Sequence, residues 1–218
     1  MRLHKKQYIS YNPFFLLPFL VWVIAGGLLL MNFSNKDLFS AVNSHYNDTA
    51  DVFMYYITWL GQGVVITTVL FLLFAIPRFR TFWYFITALL CNLLPFFIQQ
   101  LLKSYYDSPR PLNYFKHAPW IHISKDWPEL LYRSYPSGHS EGAFCFLCFL
   151  SLLLPHKYRA AGLIFFLLAL TVCYSRMYLA AHFFADVYAG SIVGTVMCIL
   201  IYSVIEHLKR YFTKQKDS

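Results

Sequence analysis

Apolar residues run along this chain in long blocks rather than in a short alternation. Six blocks stand out: Pro13–Asn32, Trp59–Ile76, Phe82–Leu102, His139–Leu154, Ala160–Tyr174 and Val187–Glu206. A bilayer core of about 30 Å needs about 20 apolar residues in helical form, and the shorter blocks reach that length by extending into their flanks. Backbone groups in lipid must be bonded within their own segment, so each block is expected to be a helix. Pro18 and Pro95 lie inside the first and third blocks, where proline can kink a helix. The pattern predicts an all-α bundle of six transmembrane helices forming one membrane-embedded domain over residues 1–218. The basic start and first apolar run also fit a signal peptide. The run is long enough to span and no small-residue cleavage site follows it, so it is read as a retained first helix.

Composition supports this picture. Apolar residues make up 58% of the 218 positions and charged residues 13%, about half the share usual in soluble domains. The net charge of +8 does not indicate a nucleic-acid partner, because the bases sit at the ends of apolar blocks. Arg2, Lys5, Lys6, Arg78, Arg80, Lys157, Arg159, Lys209, Arg210, Lys214 and Lys216 fall on one side if six helices alternate. That side is expected to be cytoplasmic, with both termini inside and the protein multi-pass in the plasma membrane. The opposite side carries Asn32–Thr58, the 35-residue stretch Lys103–Ser137, and Ser175–Asp186. The longest of these contains Tyr105, Tyr106, Tyr114, Phe115, Trp120, Trp127, Tyr132 and Tyr135, which suit either an interfacial belt or a lip admitting a lipid headgroup.

Three short blocks on that outer side carry the chemistry: KSYYDSPRP from Lys103, PSGH from Pro136, and SRMYLAAHFFAD from Ser175. His182 and Asp186 are four apart, a spacing that shares one helix face. A carboxylate on one imidazole nitrogen leaves the other as a lone pair, which makes a nucleophile or base; a buried packing pair is the alternative. Arg176 can clamp two phosphate oxygens, and Lys103 and Arg110 are within reach of the same anion or snorkel at a helix end. Ser137 suits a helix cap and Gly138 a close approach of backbone to ligand. A helix N-terminus at that point would bind an anion beside His139, a candidate general acid. Glu141 is either a second-turn residue favoured by the helix dipole, or a contact to a polar headgroup or a like-charge filter against wrong substrates.

The blocks read K-x6-RP, PSGH and SR-x5-H-x3-D, and in all eleven specified positions the chain resembles the type 2 phosphatidic acid phosphatase family. The resemblance covers residues 100–190, the catalytic core, and the six-helix topology of its bacterial membrane members. It implies that His182 attacks phosphorus to form a phosphohistidine, with Asp186 orienting it. Lys103, Arg110, Arg176, Ser137 and Gly138 bind phosphate oxygens, and His139 protonates the leaving group. No metal and no cofactor are implied. The implied substrate is a membrane lipid: lipid A, undecaprenyl pyrophosphate, phosphatidylglycerol phosphate or phosphatidic acid. The long outer loop leans toward the larger headgroups. The same core occurs in vanadium haloperoxidases, but those are soluble, and a non-catalytic lipid transporter or scaffold would not need the full residue set.

The remaining candidates read as structural. Cys91, Cys145, Cys148, Cys173 and Cys198 all fall in apolar stretches, and the CxxC of Cys145 and Cys148 has no second pair to complete a zinc set. Gly190 and Gly194 form a GxxxG suited to close packing within the bundle. His45, His117, His122, His156 and His207 show no metal-ligand spacing.

Overall fold

A computed structural model of the chain describes residues 11–115, 118–125 and 127–216. Arg2, Lys5, Lys6, Lys116, His117 and Asp126 lie outside the described residues. Among the described residues all regular structure is helical: α1 (Pro13–Asn32), α2 (Asn35–Asn43), α3 (Asp48–Ile57), α4 (Gly63–Leu73), α5 (Phe82–Tyr106), α6 (Pro111–Tyr114), α7 (Gly138–Leu153), α8 (Ala161–Tyr178) and α9 (Phe184–Lys216). Helices α1, α5, α8 and α9 are long and apolar enough to cross a membrane.

The other two expected spans take different forms. In place of Trp59–Ile76, a bent pair runs from Asp48 to Gly61 and from Gly63 to Leu73, with a 60° angle between its halves. Gln62 between the halves is extended, with φ −87° and ψ 129°, and at the adjoining Gly61 a Cβ would collide with the His139 carbonyl, so only glycine lets the chain come this close to α7. Helix α7 has 16 residues, about 24 Å at 1.5 Å per residue, so it is shorter than a bilayer core of about 30 Å.

The Asn32–Thr58 connection on the outer side holds two capped helices. The Ser34 hydroxyl accepts from Asp37 N, and the Asp37 carboxylate accepts from Ser34 N, a capping box that starts α2. The Asn47 side chain accepts from Ala50 N and starts α3. These caps are legible in the sequence, but the apolar-block pattern does not register them.

Helix α7 forms the centre of the bundle, and most of its side chains are buried. It meets α9 along Gly190 and Gly194. A Cβ on Gly190 would lie 2.5 Å from Ser137 O, and one on Gly194 would lie 3.0 Å from Cys145 N. The GxxxG therefore serves packing within one chain, as expected. Pro18 and Pro95 sit within continuous helices. Pro95 has no N–H to offer the Cys91 carbonyl four residues earlier, and the Cys145 thiol donates to that carbonyl at 2.9 Å. The sulfurs of Cys91, Cys145 and Cys198 lie within 4.8 Å of one another, a grouping of α5, α7 and α9 that linear spacing does not reveal. All five thiols are free and buried.

One end of the bundle is tied by Asn12. Its side chain accepts from Phe14 N at 3.0 Å and donates to Ser151 O and Arg159 O, both at 3.1 Å. Arg78 donates to Leu153 O at the same end. The three chemical blocks gather at the other end. Wide apolar faces of α1 and α5, including Leu17, Val21, Phe97 and Leu101, are exposed on the flanks, as expected for surfaces that meet lipid.

Candidate active site

His182 lies in the turn between α8 and α9, and the end of α8 sets its position. Ala180 takes a left-handed φ of 51°. Ala180 N then donates to Met177 O at 3.1 Å and Ala181 N to Arg176 O at 3.0 Å, a Schellman closure of the helix. His182 N donates to the same Arg176 carbonyl at 3.1 Å. The spacing between Arg176 and His182 is thus the length of one helix cap.

The His182–Asp186 spacing has a different origin from the one expected. His182 precedes α9, so the two do not share a helix face. Asp186 occupies the third position of α9, and its Oδ2 accepts from Phe183 N at 2.9 Å. A carboxylate at this position caps the helix start and reaches back toward the preceding residue. Its distance to His182 Nδ1 is 3.5 Å. Ser134, which the sequence reading missed, closes the gap. Its hydroxyl donates to Asp186 Oδ2 at 2.5 Å and lies 3.4 Å from His182 Nδ1. Ser134 is fully buried, and its N–H is held by Ser108 O at 3.0 Å. No motif spacing signals it, because it reaches the site through the fold of the outer loop.

The other imidazole nitrogen, His182 Nε2, lies 3.4 Å from Arg110 Nη1. A guanidinium only donates, so Nε2 carries the lone pair and the proton sits on Nδ1, toward Asp186. Burial first, and then the charges of Arg110, Arg176 and Lys103, push the His182 pKa well below the usual imidazole value. The imidazole is therefore neutral, and its free lone pair faces the cations.

Arg110 is buried and rigidly held. Its Nε donates to Tyr132 O at 2.8 Å and its Nη1 to Ala181 O at 3.1 Å. Its own N–H donates to Leu131 O at 2.9 Å, so both arms of the outer loop converge on it. Arg176 is 1% exposed. Its Nη1 donates to Thr58 Oγ1 at 3.0 Å, just before the Gly61 break, and its guanidinium lies over the Trp127 ring at 4.9 Å from the centroid. Lys103, in the last turn of α5, acts electrostatically on Arg110, Arg176 and Asp186.

Ser137 caps α7 as expected. Its hydroxyl accepts from Ser140 N at 3.4 Å and from the Ser140 hydroxyl at 3.0 Å, while Ser137 N donates to Asp186 O at 3.0 Å. Gly138 admits the Gln99 amide, which would lie 3.1 Å from a Cβ there. His139, in the first turn of α7, lies within the electrostatic reach of Arg176, Lys103 and Arg110. Glu141 is almost buried and lines a cavity of about 70 Å³ with Gly61, Cys91 and Asn92, between α4, α5 and α7.

The outer loop is pinned from outside. His122 Nε2 lies 2.7 Å from Asp51 Oδ1, the His122 ring stacks on Tyr46 at 3.9 Å, and the Tyr178 hydroxyl donates to the same Asp51 oxygen at 2.5 Å. Of the loop aromatics, Tyr105, Tyr106, Tyr114, Trp120 and Tyr132 are exposed. Trp127 instead turns inward over Arg176.

Comparison with known proteins agrees with this geometry. The PAP2 superfamily matches residues 81–210. Phosphatidylglycerophosphatase B of Bacillus subtilis (strain 168) is 34% identical over 128 residues, which span 54% of this chain and 56% of that protein, so the chain spans little more than half of that relative. Dolichyldiphosphatase 1 of Dictyostelium discoideum is 26% identical over 182 residues, 78% of this chain and 72% of that protein. The crystal structure of Aquifex aeolicus LpxE superposes with a TM-score of 0.66 at 25% identity, covering 79% of this chain and 97% of that one. A transmembrane PAP2-type phosphatidylglycerolphosphate phosphatase from Bacillus subtilis shares the fold, with a TM-score of 0.67 at 24% identity over 93% of this chain and all of that one. The chain therefore belongs to the PAP2 superfamily and shares its membrane-embedded helical fold with phosphatases of phosphorylated lipids.

Proposed function

We propose that the protein is a membrane lipid phosphatase that removes a phosphate, as monoester or anhydride, through a phosphohistidine on His182. The observation that carries this reading is the pair of contacts on the His182 ring. Nδ1 is held by Ser134 and Asp186, and Nε2 faces Arg110. In the first step Nε2 forms a bond to phosphorus as the lipid oxygen leaves, and His139 gives that oxygen a proton. In the second step His139 takes a proton from water, the water oxygen bonds to phosphorus, and the P–N bond breaks to release phosphate. Arg110, Arg176 and Lys103, with the Ser137–Gly138 turn at the start of α7, carry the charge on the phosphoryl oxygens.

The proposed topology places this site on the non-cytoplasmic face. Support comes from the opposite end, where Arg78, Arg80, Lys157, Arg159, Lys209 and Arg210 gather at helix termini. The names of the relatives put phosphatidylglycerol phosphate and polyprenyl diphosphates first among candidate lipids, beside lipid A and phosphatidic acid. Phosphate release by purified protein across these lipids tests the reading. His182→Ala should abolish release and the acid-labile phosphoenzyme together. Turnover in that variant at the wild-type rate would remove the nucleophile. A cysteine at exposed Lys125 should label from outside intact cells, and labelling only after permeabilisation would reverse the topology.

A further inference from the structure

Three buried side-chain polar atoms have no hydrogen-bond partner among the described residues: Trp127 Nε1, Arg176 Nε and Thr195 Oγ1. Such atoms are rare in folded proteins and costly when left unpaired. Two of the three belong to residues stacked on each other, with the Arg176 guanidinium 4.9 Å from the Trp127 ring centroid. Indole and guanidinium N–H groups can only donate, so neither can satisfy the other. Two orphan donors in one stacked pair call for an acceptor that the described residues do not supply. Arg176 already belongs to the cation cluster that faces His182.

We infer that Trp127 is a phosphate-binding residue, its Nε1–H donating to an oxygen of the same substrate phosphate that Arg176 binds. This rests on the lipid phosphatase reading and adds to it a ligand from the outer loop. The loop is built to hold the indole there. Trp127 N donates to Ser124 O at 3.0 Å, and Ser124 is buried. The Tyr55 ring meets the indole edge-on at 6.0 Å, and Thr58, one turn further along that element, holds Arg176. His122, pinned to Asp51, anchors the same stretch of loop to α3. A cation–π contact alone would use only the indole face, whereas the unpaired N–H in a buried position is the atom that points to a ligand.

Trp127→Phe keeps an aromatic face over Arg176 and deletes only the N–H, whereas Trp127→Ala deletes both. Orthovanadate serves as the phosphate-like probe, measured by inhibition and by the rise it causes in the melting temperature of the full-length protein in detergent. Loss of one hydrogen bond to a charged oxygen is expected to raise the vanadate inhibition constant roughly 10- to 100-fold in Trp127→Phe. The thermal shift should shrink, while the melting temperature without vanadate stays near wild type. Trp127→Ala should lose more. A wild-type vanadate response in Trp127→Phe, with a defect in Trp127→Ala only, would reduce Trp127 to a stacking platform and overturn the inference. So would equal loss of melting temperature without vanadate in both variants. If the wild type is stabilised by vanadate but releases phosphate from none of the lipids, the phosphatase reading fails on its own, and the Phe variant still decides the role of Trp127.

Discussion

Arginines at the two ends of this bundle are used in opposite ways. At the end tied by Asn12, Arg78 and Arg80 are exposed and spend their donors on helix carbonyls: Leu153 O for Arg78, Phe74 O and Ala75 O for Arg80. These carbonyls end helices and carry partial negative charge, so the arginines act as C-caps. At the other end Arg110 and Arg176 are buried, and their guanidinia are clustered with like charges and a neutral histidine. Like charges in a buried cluster oppose each other unless an anion joins them. The same side chain thus closes a helix where it is exposed and, in the proposed function, serves an anion where it is buried.

The sharpest test of this contrast removes one arginine from each end. Arg176→Ala is expected to lower kcat/KM by at least about 10²–10³-fold, the scale of losing a charge-stabilising donor in a closed site. Arg80→Ala should leave kcat/KM within about twofold and cost at most about 1 kcal/mol of stability, since it removes exposed caps. Comparable activity losses at the two ends would dissolve the distinction.

Ser134→Ala comes next. It leaves Asp186 3.5 Å from His182 Nδ1, with the bridging hydroxyl gone. A loss of about 10–100-fold in kcat at little change in KM is expected if the hydroxyl, held between His182 and Asp186, serves to orient the ring rather than to bind substrate. A matching change in KM would make Ser134 a substrate contact instead.

Gly190→Ala probes the packing beneath the site. A Cβ there would lie 2.5 Å from Ser137 O, so α7 and α9 must separate. Such overpacking costs about 1–3 kcal/mol, visible as a lower melting temperature in detergent. Activity should fall with it, because Ser137 N is bonded to Asp186 O across the same contact.

The smallest effect concerns pH. Folding lowers the His182 pKa below its ordinary value, so the unfolded chain takes up a proton near about pH 6.5 that the folded chain refuses. The unfolded state then binds more protons, and stability falls as pH drops through that value. Relative to His182→Asn, the wild type should lose melting temperature between about pH 7.5 and 5, with no such difference above about pH 7.5. Parallel curves would mean that the folded imidazole accepts the proton after all.

How far the sequence led is clearest along the outer side. The Ser34 and Asn47 caps of α2 and α3 were present in plain sequence, yet a reading built on long apolar blocks passed over them. The second span was legible as apolar but not as broken, and the close approach of Gly61 to the His139 carbonyl is a contact with a distant helix that the linear sequence does not show. Ser134, Thr58 and Trp127 carry no motif and come to the site only through loop folding.

The sequence by itself determined the helical membrane class, the superfamily, and the residues proposed for the site: Lys103, Arg110, Arg176, Ser137, Gly138, His139, His182 and Asp186. It could do so because apolar length sets a membrane helix, and because local caps impose fixed spacings, such as the α8 closure between Arg176 and His182. Tertiary structure alone decided which nitrogen of His182 is free, what bridges it to Asp186, and which outer-loop side chain covers Arg176. Those choices depend on distances of a few ångströms between groups separated by tens of residues, a separation that no local periodicity encodes.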